Sequence, residues 1–271
     1  MSGVQRLHTR IWLEEAAPGN AFATRAAFCH GYDVFGDMLG RARWVDMLWL
    51  LLCGDVPLPE QAALLEDLAV ALANPGPRDP SVHAAMCAGT GGSTAAASLM
   101  AALAVGAGQQ GGAREVFHAM ALWQRCGTDL PLWLQALAEG GAPVASIWPD
   151  CDHTPGFDPQ APAASPIVLQ LLAHLAHLAR GGPGRRLAWL QAHREALQAM
   201  AGAPLALTGV AAAALADLGL TPEQGEMLYL LLRLPGAAVH ALEQRALGPK
   251  QFPFFELDLL NDPLDLAKAA A

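Results

Sequence analysis

Leu230–Gln244 reads L-L-L-R-L-P-G-A-A-V-H-A-L-E-Q. The Leu-rich run before Pro235-Gly236 and the Ala-containing run after it both favour helix, and the Pro-Gly pair is a break signal. The pattern therefore predicts two helices, Glu223–Leu232 and Ala237–Ala246, with a short joint between them. Thr221 followed by Pro222 and Glu223 is a good start for the first, because a hydroxyl can cap the end and Pro suits the first helical position. Arg233 lies inside the apolar run. A structural ion pair with Glu226 or Glu243 is one reading of it. His240 and Glu243 stand three apart on one helix face, a spacing that also suits an internal hydrogen bond.

Outward from this stretch, helix signals recur and strand signals do not. Ala42–Cys53, Glu60–Ala73, a helix from Pro80 or Ser81 to Cys87, Glu115–Arg125, Pro131–Ala138, Pro166–Arg180, Leu187–Met200 and Val210–Leu218 are predicted helices. Ser93 is expected to cap a helix running through Val105. Gly140–Ala164 is rich in Pro and Gly and is either an active-site loop or a surface excursion. The tail Gln251–Pro263 is apolar and expected to pack down, with Leu264–Ala271 frayed.

The chain has 271 residues, 53% of them apolar and 15% charged. At roughly 100–200 residues per domain this allows one large domain or two intimate ones, and it excludes disorder. The two Tyr and few aromatics argue against an all-β protein. A net charge of −9 repels phosphate backbones and acidic membranes, so neither nucleic acid nor a membrane is an expected partner. An anionic ligand would need a local Arg cluster. The five Cys include no C-x-x-C pair, sit mostly in apolar helical stretches, and read as reduced, buried thiols of a soluble cytoplasmic protein. The N-terminus has no apolar core of signal-peptide length. Ala84–Ala113 carries no charge, but its Gly, Ala, Ser and Gln content fits a central helix buried on all sides better than a membrane span.

Several motifs fail their context. Gly106–Gly111 fits G-x-G-x-x-G but follows a helix instead of a strand. His174 and His177 have metal-compatible spacing but no carboxylate partner in sequence, so no metal site is expected. Ser93-Thr94 has no following Lys for a phosphate cradle, and no G-x-S-x-G occurs.

Three stretches together resemble the citrate synthase and citryl-CoA lyase superfamily. Cys29–Pro57 (C-H-G-Y-D-V-F … W-V-D-M-L-W-L-L-L-C-G-D-V-P) resembles the family's R-G-Y-D, long apolar helix and G-E-L-P. Ser93–Arg114 resembles the small-residue helix that leads to H-G-G-A. Leu230–Gln244 matches R-x-x-G-x-x-A-H-x-x-E-Q. Between them, Pro155-Gly156-Phe157 is similar to the start of P-G-F-G-H, and Ala206-Leu207-Thr208-Gly209 falls where the family has N-V-D or N-I-D-G.

The resemblance implies an all-α citrate-synthase-like fold. It places a large, dimer-forming helical domain at 1–114 and 205–271 and a small helical domain at 115–204. It also implies chemistry on an acyl-CoA and a 2-oxo or tricarboxylic acid, with coenzyme A thioester as substrate and no further cofactor. That chemistry needs a base on one side of the reacting carbon and a hydrogen-bond donor on the other.

The catalytic positions depart from the family. The His before G-G-A is Gln110, which can donate to an enolate oxygen but cannot change charge near neutral pH. The base Asp is Thr208, a poor base without an activating partner. The substrate His is deleted, and the Arg of D-P-R-A is Gln160. Arg233, His240 and Glu243 survive, and Lys250 lies near the family's partner-subunit Arg, with Gln251 as the alternative equivalent. His153, beside Asp152, and Asp158 could rebuild an acid–base pair from the loop or could be surface residues. Two expectations follow: a citryl-CoA lyase or citrate synthase with Arg233 as carboxylate ligand, Gln110 as oxyanion donor and His153 or Asp158 as acid–base group; or a degenerate subunit that binds a CoA ester or supports an active paralogue. Either is expected as a homodimer or a heterodimer with a paralogue.

Overall fold

Alanine and leucine runs fold into ten α-helices in a computed structural model that describes residues 8–139, 153–179 and 185–252. They are α1 (Trp44–Cys53), α2 (Pro59–Leu72), α3 (Pro80–Thr90), α4 (Ala95–Gly106), α5 (Ala113–Cys126), α6 (Leu130–Glu139), α7 (Pro166–Leu178), α8 (Arg186–Ala201), α9 (Leu207–Asp217) and α10 (Pro222–Leu247). The C-terminal tail beyond Phe252, Cys151, Asp152 and most of the loop after Gly140 lie outside the described residues.

The helix ends follow local chemistry. Asp79 caps α3 by accepting the Ser81 amide, and Thr221 exchanges bonds with Gln224 in a capping box at the start of α10. The cap of α4 is Thr94, whose hydroxyl accepts from the Ala97 amide, and not Ser93. No helix among the described residues is long and apolar enough to cross a membrane.

One helical fold carries a strand feature that the sequence pattern hid. β1 (Trp12–Ala17), β2 (Asn20–Cys29) and β3 (Tyr32–Asp33) form an antiparallel meander. Both faces of β1 and of the first half of β2 are largely exposed, so the chain shows no apolar–polar alternation there. Polar cross-strand contacts hold it instead: Thr24 donates to Glu14 at 3.2 Å and Arg25 pairs with Glu15.

The helix buried on all sides is α9, not α4. Every residue from Thr208 to Asp217 is buried, which explains its run of alanines beneath α5, α7, α8 and α10. In contrast, α4 buries only Ser98, Ala102 and Gly106 against α3 and α10, while Met100 (61% exposed) and Val105 (43%) face outward. Around α9 sit Leu65, Leu68, Leu172, Leu175, Leu187 and Leu197, each fully buried and each worth about 1.5–3 kcal/mol. Trp123 packs edge-on against both Trp133 and Trp189, at 4.6 and 5.7 Å between centroids. The Asp217 carboxylate, at the far end of α9, accepts the first amides of α8, from Arg186 (2.8 Å) and Leu187 (2.9 Å). Burial raises its pKa against the pull of those donors. Of the thiols expected to be buried, Cys29 and Cys126 are, whereas Cys53 and Cys87 are exposed.

The two helices expected around Pro235 are one helix of 26 residues. Pro235 is exposed and lacks an amide, so it cannot bond back to the preceding turn. The next amide, of Gly236, leaves the helix ladder and donates to the Ala73 carbonyl at 2.7 Å. A break within α10 is thus converted into a tertiary bond to the end of α2. A Cβ at 236 would lie 2.7 Å from Asn74 Cα and 2.8 Å from the Ala73 oxygen, so only glycine permits this approach. Gly236→Ala is therefore expected to lower stability by about 1–3 kcal/mol. Pro235→Ala is expected to leave stability unchanged or raise it. Urea midpoints of the two variants check this, and equal losses would contradict it.

Candidate functional site

Glu115 stands in the first turn of α5 and is 2% exposed. An isolated carboxylate there would be prohibitively costly, so its partners decide whether the segment folds. Its Oε2 accepts the Gly111 amide at 2.5 Å, just ahead of the helix, where the helix dipole also favours a negative charge. Its Oε1 accepts the Thr208 hydroxyl at 2.7 Å and the Gly156 amide at 2.9 Å. His153 Nε2 lies 3.8 Å from Oε2, with its side chain 6% exposed. One carboxylate thus ties together the start of α5, the loop at 153–156 and the start of α9.

Backbone contacts complete the clasp between that loop and α9. The Ala206 amide donates to the Gly156 carbonyl at 2.9 Å, Phe157 bridges to Leu205, and the Asp158 amide donates to the Pro204 carbonyl at 2.9 Å. Gly156 has φ +90°, and a Cβ there would lie 2.9 Å from Gly209 Cα. A Cβ on Gly209 would in turn lie 2.4 Å from the Gly156 oxygen. The two glycines face each other because neither backbone leaves room for a side chain.

The Gly111 peptide is held from its other end as well. Its carbonyl accepts Arg233 Nη1 at 3.0 Å and the Tyr229 hydroxyl at 3.4 Å. Arg233 Nη2 donates to Asp79, which also accepts the Ser81 amide (2.9 Å) and hydroxyl (2.5 Å) at the start of α3. The Arg233 guanidinium lies 4.8 Å over the Tyr229 ring. Burial pushes the Tyr229 phenol up to about 12, with the Arg233 charge opposing the shift.

Around this frame, Thr208, His153 and Arg233 converge with the backbone next to Gln110. Gln110 itself is exposed, on a peptide pinned by the bonds to Gly111. Asp158 turns its carboxylate to the Gln160 amide at 2.9 Å and closes a local turn. His240 Nδ1 lies 3.5 Å from Glu243, further along α10, and its Nε2 is buried without a hydrogen-bond partner among the described residues. Lys250 is exposed in a 3-10 turn, Pro249–Gln251.

The ion pair considered for Arg233 differs from either expected one: its carboxylate is Asp79, while Glu226 pairs with Arg114 at 3.3 Å. Thr208 does have a carboxylate partner, contrary to the expectation of an isolated hydroxyl. Sequence reasoning missed Glu115, Asp79 and Tyr229. The one signal for Glu115 was a charge placed immediately after the Gly-Gly-Ala-Arg turn. Asp79 read only as a loop residue between Arg78 and Pro80. His174, examined for metal spacing, bonds to Asp67 of α2 at 2.6 Å. No metal-binding cluster occurs among the described residues.

No protein-family model and no curated protein matches the sequence. Solved structures do. Citryl-CoA lyase from Hydrogenobacter thermophilus superposes with a TM-score of 0.70 at 17% identity, covering 97% of this chain and 100% of that one. ATP citrate lyase from Methanothrix soehngenii, in complex with citrate and coenzyme A, gives 0.69 at 17% identity over 94% of this chain. A variant of ATP citrate lyase from Methanosaeta concilii, in complex with (3S)-citryl-CoA, gives 0.70 at 16% identity over 97% of this chain. This chain spans 42% and 43% of those two larger chains. Its fold is therefore the helical fold of citryl-CoA lyase.

Removing the Thr208 hydroxyl while keeping its shape isolates its bond to Glu115. Thr208→Val is expected to cost about 1–3 kcal/mol, because a buried carboxylate oxygen loses a donor. Denaturant unfolding measures the loss, and a change below about 0.5 kcal/mol would show that the bond contributes little.

Proposed function

We propose that this chain is a citryl-CoA lyase-fold subunit that binds a coenzyme A ester without carrying out carbon–carbon chemistry. The single observation that supports this reading is the bond from Thr208 to Glu115. Thr208 holds the position assigned to the base, and its proton is committed to a carboxylate at 2.7 Å. That carboxylate also receives the Gly156 and Gly111 amides, so three of its roughly four acceptor sites are taken by donors. A positioned base contributes ~10²–10⁴-fold to removal of a weakly acidic methyl proton. This factor is absent in the proposed subunit. Gln110 would still offer a hydrogen bond to a thioester oxygen. The coenzyme A ester is a ligand here, and no further cofactor is proposed.

In this reading residues 1–114 and 205–271 form the larger body and 115–204 the smaller, with Glu115 and Thr208 at the two crossings between them. The approach of His153 to Glu115 favours a second reading, an active lyase in which His153 is the acid–base group and Arg233 holds a carboxylate. Methyl-proton exchange separates the two. Purified protein is expected to exchange acetyl-CoA methyl protons for deuterium no faster than buffer, as followed by NMR. Rapid exchange that His153→Ala abolishes would establish the active reading instead.

The proposed assembly is a dimer through α4 and α10. Met100 and Val105 of α4 and Met227, Leu231, Val239 and Leu242 of α10 are large apolar side chains exposed on the single chain. A patch of this kind on two adjoining helices is a surface to be covered. The partner is a second copy or an active paralogue. Sedimentation is expected to show a dimer at micromolar concentration, and Met100→Glu with Leu231→Glu is expected to shift it to monomer. A wild-type monomer at that concentration would reject the proposal.

A further inference from the structure

We infer that Asp79 is a built-in anion on Arg233 that makes this site select acyl thioesters lacking a free carboxylate and turn away citrate-like polycarboxylates. The inference rests on the proposed coenzyme A ester ligand and names its class. Arg233 is 7% exposed, and its donors face the protein: Nη1 bonds the Gly111 carbonyl, Nη2 bonds Asp79, and Nε is buried. A ligand carboxylate could pair with Arg233 only by replacing Asp79.

Asp79 is not a side chain that swings aside readily. The α3 cap fixes it independently of Arg233, through the Ser81 amide at 2.9 Å and hydroxyl at 2.5 Å. Displacing it would uncap α3 as well as strip a buried charge of its partner, and breaking such a pair is strongly unfavourable. The surrounding charge points the same way. Gly111 connects Arg233 to Glu115, so the cation faces one carboxylate directly and a second across one peptide. The neighbouring Arg114 is paired with Glu226. A second anion placed here would meet two carboxylates and two neutralised arginines, an arrangement that rejects by like charge.

The test uses the full chain and isothermal titration with acetyl-CoA, succinyl-CoA and citrate. Wild type is expected to bind acetyl-CoA at least about tenfold more tightly than succinyl-CoA and to show no heat with millimolar citrate. Asp79→Asn keeps a good helix cap but removes the charge. It is expected to gain citrate binding by about tenfold or more, and the added Arg233→Gln change should abolish the gain. Asp79→Ser, also a cap, replaces it if the Asn variant does not fold by circular dichroism.

Equal or tighter binding of succinyl-CoA by wild type would overturn the inference whatever the variants do. A citrate gain that survives loss of Arg233 would also overturn it. No binding of either thioester by wild type would reject the coenzyme A ester reading, while citrate binding by Asp79→Asn, lost with Arg233→Gln, would still support the role of Asp79.

Discussion

A carboxylate that is 2% exposed cannot be tolerated in an apolar interior unless donors surround it, and Glu115 is given three within 2.9 Å. Those donors come from sequence positions 111, 156 and 208, so satisfying one side chain fixes the relative placement of a helix start, a loop and a second helix start. The facing glycines at 156 and 209 follow from the same constraint, because the loop must lie against α9 for its amide to reach Oε1. Charge-assisted bonds of this kind are about twice as strong as neutral ones, which suits a junction between segments distant in sequence.

The Gly111 peptide passes this constraint on to a second buried charge. Its amide is bonded to Glu115 and its carbonyl to Arg233 and Tyr229. Arg233 in turn reaches Asp79 at the cap of α3. Buried charge here is therefore organised as one connected set, carboxylate to peptide to guanidinium to carboxylate, with each member's position set by its neighbour. Such a set confers specificity of arrangement more readily than net stability, since desolvation offsets much of the Coulomb gain. It also leaves little of the site's polar capacity for a ligand.

Packing around this set follows from side-chain size. Alanines let α9 sit at the centre with α5, α7, α8 and α10 close around it. The equally small residues of α4 instead lie at the surface, where its outward face is apolar and exposed in the single chain. Two helices of similar composition thus have opposite surroundings, and composition alone does not distinguish an interior helix from one at the surface.

By itself the sequence determined the helical class, because alanine and leucine runs punctuated by Pro, Gly and capping residues act over a few residues and need no distant contact. It likewise determined, through the order of its short motifs, the resemblance to a fold that superposition on citryl-CoA lyase bears out. Only the tertiary structure decided that Pro235 is spanned by one helix, since the Ala73 carbonyl that takes the Gly236 amide comes from a distant helix end. The exposed meander escaped notice because a strand uncovered on both faces leaves no alternation to read. At the site, Thr208 and Arg233 were legible as chemical types, but their meaning was not: the hydroxyl looked isolated until Glu115 was brought to it, and the guanidinium looked available until Asp79 was. Both partners lie far away in sequence, 93 and 154 residues distant, and no local pattern records a pairing made by folding.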